Sequence, residues 1–484
     1  MKRSLVAIFA MLSGVLLLGT TIAEAADIKF GGQLRPRYEV REQNDFDSRS
    51  DLDMFVDTRI RLNVNVDIND STSAFIQMQA IGRYGDVSAV SPFSPGGTAR
   101  GGAAASDGIN DVGLHQAYFT LKNFFDIPVD LRVGRQEIAL DGHRLIGSTG
   151  WTPGAQAHDG IVLSHAQENM TLVYAFGKTL ESATTQAAPD DDTDINAHVL
   201  WGNFGHFKDI LGGPLSVYFI ALDDNSNNVA DTKVTGTGVY TNGAEVDDNI
   251  YTVGFRQAGH LDQLWGIDYR GEFYYQFGDA EGDAGTGAGA GTDRRAQMFG
   301  LRVGKKFTNV AWTPSATIWY DHLSGTDDSD LAGGDHRAFH TLFDTGHKYY
   351  GFMDLFLSGA GAGTSGLGLR DLAAKFSAKP PVDGLTLKAD IHFFWTDVNL
   401  KDNPTQRAAN GVTAGSAADD NSLGQELDLT AVYKYNPNTT IVVGYSHFFA
   451  DDLFYAVNGA ASNPVGSTNN DDANWAYVMF NVVF

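Results

Sequence analysis

The sequence predicts an all-β fold, a transmembrane antiparallel β-barrel of about 18 strands. Three observations support this prediction. Apolar and polar residues alternate with a period of two in many segments, the connections between segments alternate between short and long, and the last segment ends on an aromatic residue. A helix would scatter the charges around its circumference, whereas a strand places them on one face. A closed barrel also removes the exposed edges that so many strands would otherwise create.

The N-terminus is typical of a secretory signal peptide. Lys2 and Arg3 precede an apolar run at 5–22, and Ala23-Glu24-Ala25 forms an A-x-A cleavage site. We therefore expect a signal peptide at 1–25 and a single barrel domain at 26–484. No later window approaches the roughly 18 consecutive apolar residues of a transmembrane helix. An exported chain without such a helix is periplasmic, secreted or in an outer membrane, and the predicted barrel favours the bacterial outer membrane.

The composition narrows the classes of partner and cofactor. The formal net charge is -25, which disfavours nucleic-acid binding. The chain has no Cys, so disulfides and thiolate metal sites are excluded. We expect no cofactor and no resident metal.

The alternation is clearest in four segments. Residues 28–41 and 54–68 place apolar side chains on one face and mostly basic or polar ones on the other. Residues 267–277 and 385–395 repeat the pattern. In a barrel of this type the apolar face contacts lipid and the polar face lines the lumen.

The connections support an up-and-down topology with both termini in the periplasm. Short turns are expected on the periplasmic side and longer loops outside. The short connections are 69–71, 123–128, 167–169, 203–213, 259–264, 308–310, 378–383 and 436–439. The long ones are 85–112, 139–158, 178–194, 223–248, 278–293, 324–366, 397–424 and 450–472. Residues 347–356 could form a further strand, but an odd count would break this parity, so we assign them to a loop.

The final segment, 473–484, places Ala476, Val478, Phe480, Val482 and Phe484 on one face. A C-terminal aromatic after such alternation resembles the signal that the bacterial barrel-assembly machinery recognises. Elsewhere, the tryptophans are expected at the two membrane interfaces. They include Trp201, Trp312, Trp319, Trp395 and Trp475.

Residues 131–159 carry the most specific pattern. LRVGRQE is followed by D-G-x-R-L-I-G, a Trp and a second D-G. This order resembles the alginate-export family of outer-membrane β-barrels. Two other matching pieces are Gln116-Ala117-Tyr118 and Thr345-Gly346-His347-Lys348, the latter followed by Gly351 and Asp354.

The resemblance implies an 18-stranded barrel that exports a uronic-acid polymer through an Arg-lined constriction. In this chain, the resemblance implies that the constriction is formed by Arg135 and Glu137 beside Arg144, with Arg59 and Arg61 as partners on the wall.

The full set of candidate pore-lining residues combines basic side chains with the acids beside them. They are Arg35, Arg37, Arg59, Arg61, Arg135, Glu137, Arg144, Asp159, Arg270 and Arg302. Two interpretations stay open. A ladder of guanidinium groups can bind and release a moving polyanion. Alternatively, these arginines pair with acids such as Asp57, Glu137, Asp159, Asp268 and Glu272 and only make the wall rigid.

Our leading hypothesis is an outer-membrane channel for anionic substrate, by resemblance an exporter of an alginate-like exopolysaccharide. The alternatives are a general porin for small anions and a barrel sheath around a partner such as a periplasmic multihaem cytochrome. The expected surroundings are lipid and lipopolysaccharide, and a closed barrel is expected to be a monomer. An enzyme is not expected. His143, Ser148 and Asp159 could suggest a hydrolytic triad, but the chain has no G-x-S-x-G motif.

Overall fold

The computed structural model describes residues 27–42, 52–84, 112–180, 194–224, 248–280, 291–357, 363–364, 366–403, 421–454 and 472–484. The predicted signal peptide lies outside the described residues, as does much of several predicted long loops.

The described part of the chain is dominated by strands, as the period of two predicts. They are β1 (Asp27–Glu42), β2 (Asp53–Asn69), β3 (Thr72–Arg83), β4 (Val112–Leu121), β5 (Asp130–Gln136), β6 (His158–Gln167), β7 (Met170–Leu180), β8 (Ile195–Phe204), β9 (Leu215–Asp224), β10 (Ile250–Leu261), β11 (Ile267–Asp279), β12 (Asp293–Lys306), β13 (Ser315–Leu323), β14 (Asp335–His336), β15 (Leu369–Ala378), β16 (Leu385–Trp395), β17 (Ser422–Asn436), β18 (Thr439–Ala450) and β19 (Ala473–Val483). Helical structure in these residues is limited to short segments, such as Lys208–Leu211 and Asp328–Ala332.

Eighteen of these strands close into one antiparallel barrel, which confirms the predicted fold class. Each strand pairs with its neighbours in sequence, β13 pairs with β15, and β1 pairs with both β2 and β19. The remaining strand, β14, has two residues and pairs in parallel with β12 from within a loop. The segment at 347–356 lies in the same loop and forms no wall strand, as the parity argument predicted.

The two faces of the wall follow the sequence alternation. The side chain of Phe30 is 74% exposed on the outer face, and Leu62 and Phe273 also face outward. Arg59 is only 4% exposed on the inner face, where Glu272 is also buried. The outer surface is therefore apolar and the lumen is lined by charged and polar groups, as a barrel in lipid requires.

The barrel closes at the seam between β1 and β19. The amide of Gly32 donates to the carbonyl oxygen of Phe484 at 2.8 Å, and the amide of Phe484 donates back at 3.1 Å. A Cβ atom on Gly32 would lie 2.5 Å from the ring of Phe484. Glycine is therefore required for the C-terminal residue to sit against the first strand.

Two long loops fold into the barrel, one at 137–157 and the other described at 324–357, 363–364 and 366–368. They meet in a parallel backbone pairing of Ile146 with Phe343. The amide of Phe343 donates to Leu145 at 2.9 Å, and the amide of Gly147 donates to Phe343 at 2.8 Å. Apolar residues of both loops pack with inward side chains of the wall to form a buried core inside the barrel. This core includes Leu145, Ile146, Tyr218, Tyr274, Trp319, Phe339, Leu342, Tyr349, Tyr350, Phe356, Phe394 and Phe448.

The prediction of a tryptophan girdle is wrong for three of the five residues. Trp201, Trp319 and Trp475 face the lumen, because each indole N–H donates to a carboxylate there, at 2.9 Å to Asp141, 2.8 Å to Asp321 and 2.9 Å to Glu39, respectively. Trp312 is exposed in the turn before β13.

No helix among the described residues is long and apolar enough to cross a membrane.

Candidate functional site

Three arginines of the inner wall hold the tip of the first inserted loop. Arg35 donates to the carbonyl oxygens of Gly150, Trp151 and Thr152 at 2.6, 2.9 and 3.1 Å. Arg59 donates to Gly150 and Thr152 at 3.1 and 3.3 Å. Arg37 donates to Trp151 at 3.1 Å. We call residues 150–152 the loop tip and Arg35, Arg37 and Arg59 the arginine clamp.

The arginine clamp is only partly neutralised. Arg37 forms an ion pair with Glu39 at 2.6 Å. Arg35 and Arg59 are direct cross-strand partners on β1 and β2. Neither makes an ion pair with a carboxylate among the residues that the structure describes. Two like charges therefore face each other on the inner wall, with neutral oxygens as their direct partners and with carboxylates such as Glu39 and Glu137 acting on them only at longer range.

A second group of charged residues, around Arg61, lies at the next inward position of β2 towards the periplasmic end. Arg61 donates to Gln79 at 2.7 Å and lies 3.4 Å from the Glu137 carboxylate. His115 approaches the same carboxylate at 2.8 Å. Burial on its own raises the pKa of Glu137, but the hydrogen bond with His115 and the charge of Arg61 outweigh it and lower the pKa. Glu137 is therefore ionised and compensates part of the charge of Arg61.

Arg144 anchors the loop to the opposite wall. Its Nη2 lies 2.6 Å from Asp321 and 3.2 Å from Glu272, and its Nη1 donates to the Tyr350 hydroxyl at 2.7 Å. Burial lowers the pKa of Arg144, but the charges of Asp321 and Glu272 outweigh it and raise the pKa well above its ordinary value. Arg144 is therefore a permanently charged anchor.

Arg270 and Arg302 share these two carboxylates with Arg144. Arg302 lies 3.7 Å from Glu272 and 3.5 Å from Asp321, and its guanidinium stacks 3.1 Å above the Trp319 ring. Arg270 lies 3.8 Å from Glu272. Three guanidinium groups thus face two carboxylates, so this cluster of five residues has a net positive charge.

Trp151 of the loop tip is held between the two inserted loops and the wall. Its ring stacks on His347 with 4.0 Å between centroids, and the guanidinium of Arg37 lies 4.3 Å from its ring centre. His347 in turn pairs with Asp354 at 2.7 Å. The residues that carry the family resemblance therefore build the contact between the two loops.

Arg135 and Asp159 do not line the lumen as the sequence analysis expected. They form an ion pair at 2.6 Å and are register partners on β5 and β6. Because side chains alternate along a strand, they share the face of Val133 and Ile161. Ile161 is 38% exposed on the outer surface. The pair therefore lies on the outer face, and the other eight predicted residues lie inside the barrel.

His143, Ser148 and Asp159 are not assembled as a triad. Nδ1 of His143 is 3.4 Å from the Thr345 hydroxyl, while Asp159 is engaged by Arg135. Asp159 also points to the outer face, away from His143 in the lumen.

The inner wall also has an acidic part, from which the sequence analysis chose no candidate pore-lining residue. Nδ1 of His392 lies 2.9 Å from Asp371, and Nζ of Lys375 lies 2.9 Å from Asp390. Glu426 is buried and accepts a hydrogen bond from the amide of Met353 at 2.8 Å. The alternation of Glu426 and Asp428 on β17 was the available signal. Other residues missed at the site are His115, Trp151, Asp321, Tyr349 and Tyr350.

No group of three or more His, Asp or Glu side chains in the described part of the chain is arranged to hold a metal ion.

Comparisons with known proteins agree with the fold. The solved structure of Pseudomonas aeruginosa OccD3 (OpdP) is similar with a TM-score of 0.51 and 14% identity, over 96% of this chain and 92% of that one. Acinetobacter baumannii OccAB2 is similar with a TM-score of 0.54 and 11% identity, over 95% of this chain and 98% of that one. A search of curated proteins finds no match.

The family model for alginate export matches residues 26–467, which is nearly the whole chain. This match covers the inserted loops and the arginine clamp. The chain therefore belongs to the alginate export family and is an outer-membrane β-barrel channel.

Proposed function

We propose that this channel conducts anions and that its substrate is a uronate-type exopolysaccharide, exported across the outer membrane. The observation that carries the proposal is the partly uncompensated charge of the arginine clamp. Arg35 and Arg59 face each other on the inner wall and donate to carbonyl oxygens of the loop tip, and Arg59 also donates to the side-chain oxygen of Gln33 at 3.1 Å, so the direct partners of both are neutral. A carboxylate is a stronger partner for a guanidinium than a neutral carbonyl.

The spacing of the basic groups favours a moving chain of carboxylates. Arg61, the pair of Arg35 and Arg59, and Arg37 lie at successive inward positions of β1 and β2. Successive inward positions are two residues apart, or about 7 Å along a strand. A polyanion can pass from one group to the next without leaving the basic wall, provided that each group binds it weakly.

A general porin for small anions would use the same basic wall. The two functions differ in their response to an oligomer, because only a chain that occupies several arginines at once blocks the current of small ions for a measurable time. We propose a monomer, since the described wall strands close within one chain.

The test is single-channel recording in planar bilayers with purified protein and a tetramer of mannuronate. The variant Arg61→Gln removes a charge of the ladder that does not hold the loop tip. The matched control is Arg295→Gln, because Arg295 is on the outer face and its side chain is 54% exposed. We expect anion preference and tetramer block in the wild type, with both weakened by Arg61→Gln and unchanged in the control.

Cation preference in the wild type would contradict the proposal. Anion preference without block by the tetramer would support the porin for small anions. A protein that assembles but carries no current would contradict a channel and would direct attention to a partner inside the barrel.

A further inference from the structure

We propose that the loop tip is a built-in occupant of a carboxylate-binding site formed by Arg35, Arg37 and Arg59, and that anionic substrate opens the lumen by replacing it. This inference rests on the proposed function and adds a mechanism of regulation to it. The loop that narrows the barrel and the substrate compete for the same donors.

The contacts of the loop tip resemble those of a bound anion. Six hydrogen bonds from four guanidinium nitrogens of the arginine clamp converge on three successive carbonyl oxygens, at 2.6–3.3 Å. The carbonyls supply partial negative charge but no formal charge. The repulsion between Arg35 and Arg59 is therefore only partly relieved while the loop tip is bound. A carboxylate placed between them relieves it further and forms shorter, charge-assisted hydrogen bonds.

The rest of the loop is anchored by charge pairs that an incoming carboxylate cannot replace. Arg144 binds Asp321 and Glu272 on the opposite wall. Asp141 accepts hydrogen bonds from Trp201 at 2.9 Å and from Arg256 at 3.2 Å, and also from the Tyr218 hydroxyl. An anion therefore competes with the loop tip for the arginine clamp, while the base of the loop stays in place.

The packing of two glycines marks the boundary between the fixed and the displaceable part. A Cβ atom on Gly147 would clash with the Thr345 hydroxyl, so the backbone there is tightly packed against the second loop. A Cβ atom on Gly150 would have nothing within 4 Å. The chain thus passes from tight to open packing within three residues, and Gly150 is the first residue that contacts the arginine clamp.

The ring contacts of Trp151 with the wall also have to break when the loop tip leaves. The guanidinium of Arg37 lies over the Trp151 ring, and the rings of Trp475 and Tyr477 lie 5.9 and 5.1 Å from it, whereas His347, which stacks on that ring, belongs to the second inserted loop. Displacement therefore separates Trp151 from the wall but does not require it to leave His347. A neutral sugar supplies no charge to replace the carbonyl dipoles, so opening is selective for acidic substrate.

The absence of cysteine from the sequence allows a direct test. Gly150→Cys provides a single labelling position with room for a side chain, and a nitroxide attached there reports the mobility of the loop tip by electron paramagnetic resonance. The full-length protein in detergent is titrated with a tetramer of mannuronate, and with maltotetraose as a neutral control of equal length. We expect a saturable rise in the mobile fraction with the mannuronate tetramer and no change with maltotetraose.

Three variants in the Gly150→Cys background make the test more specific. Arg59→Gln removes one clamp residue, so the mobile fraction should be raised several-fold without ligand and should respond less to the tetramer. Arg295→Gln should behave like the parent protein. Arg35→Lys, which keeps the charge but loses the fork of donors, should give an intermediate result.

The outcomes separate this inference from the proposed function. If the tetramer blocks current but the label stays immobile, or becomes less mobile, the channel binds the anion without displacing the loop tip and the inference is wrong. If the tetramer neither blocks current nor changes the label, and the channel prefers cations, the proposed function is wrong as well. A rise in mobility with maltotetraose would overturn the requirement for charge.

Discussion

Arg35 and Arg59 are direct cross-strand partners, and both donate to the carbonyl oxygen of Gly150, at 2.6 and 3.1 Å. A neutral backbone oxygen thus bridges two like charges in the wall of the barrel. The position of the first inserted loop therefore depends on the charge of the inner wall. A change in that charge should move the loop tip, and a displaced loop tip should change the electrostatic potential in the lumen.

The first prediction concerns the clamp itself. Arg35→Ala removes three hydrogen bonds to the loop tip and one charge from the wall. We expect single-channel conductance to rise, because the loop tip is released, while the preference for anions falls. Conductance and reversal potential, recorded in the same bilayer, measure the two effects separately. A fall in conductance would show that the loop tip does not restrict the current.

The second prediction concerns the buried anchor of the loop. Arg144→Met leaves Glu272 and Asp321 with fewer counter-charges inside the barrel. We expect the free energy of unfolding to fall by about 3 kcal/mol, because the buried Asp321 carboxylate loses its 2.6 Å ion pair and keeps only the longer 3.5 Å ion pair with Arg302. Urea unfolding followed by tryptophan fluorescence measures it. The matched control is Arg295→Met at the exposed outer face, where we expect a change within about 0.5 kcal/mol.

The third prediction concerns pH. Asp397, in the loop after β16, accepts hydrogen bonds from His322 at 2.8 Å and from Arg370 at 2.6 Å. Burial on its own raises the pKa of Asp397, but these bonds outweigh it and lower the pKa to about 2. The folded pKa is below the unfolded value of about 3.9, so this contribution to stability is present above pH 4 and is lost as the pH falls towards about 2.

The variant Asp397→Asn tests this linkage. Its free energy of unfolding should be lower than that of the wild type by on the order of 1–2 kcal/mol at neutral pH, after allowance for the screening of the partly exposed Arg370. The difference should shrink as the pH falls from about 5 to about 2. Unfolding midpoints at several pH values provide the measurement, and a difference that is constant with pH would contradict the role of the carboxylate charge.

The fourth prediction follows from the outward position of Arg135. Arg135→Gln should leave both ion selectivity and tetramer block at the wild-type level, because its side chain shares the outer face with Val133. Arg61→Gln, with the same change of charge on the inner face, is the comparison. A loss of selectivity in Arg135→Gln would mean that its charge acts on the lumen through the wall.

The fifth prediction concerns the seam. Gly32→Ala places a methyl group 2.5 Å from the Phe484 ring and 2.8 Å from the carbonyl oxygen of Arg61. We expect a loss of about 1–3 kcal/mol in stability, as for other overpacked sites. Gly271→Ala is the matched control, since a Cβ on that strand glycine meets nothing within 4 Å. Equal effects of the two substitutions would show that strand propensity, and not the seam, is responsible.

Much of the fold could be predicted from the sequence because the period of two is a local property. The alternation around Arg35 and Arg59 fixes their inward direction from a few neighbouring residues. The same rule, applied past Val133, places Arg135 on the outer face. The prediction that Arg135 lines the lumen was wrong because the resemblance of residues 131–159 was given more weight than the alternation. The positions of tryptophans such as Trp319 and Trp475 were predicted wrongly. The general preference of tryptophan for the membrane interface gives no information about carboxylates in the lumen to which the indole N–H can donate.

The partners of the inserted loop could not be predicted in this way. Arg144 and Glu272 are 128 residues apart in sequence, and Arg144 and Asp321 are 177 apart. No periodicity links such positions, since they meet only when the barrel is closed and the loop has folded back. The contacts of the arginine clamp with the loop tip could not be predicted either, because their acceptors are backbone carbonyls, which every residue has.

The pairing of Gly32 with Phe484 also bears on how the barrel is assembled. The other wall strands can pair with a neighbour in sequence as soon as both have been delivered, whereas the seam joins the first and the last strand of the barrel. Bringing distant ends together costs the most chain entropy, so we expect this pairing to form last. The pairing of β1 with β19 would then complete the barrel, and a chain in which these two strands cannot pair should stall as an open sheet with two unpaired edges.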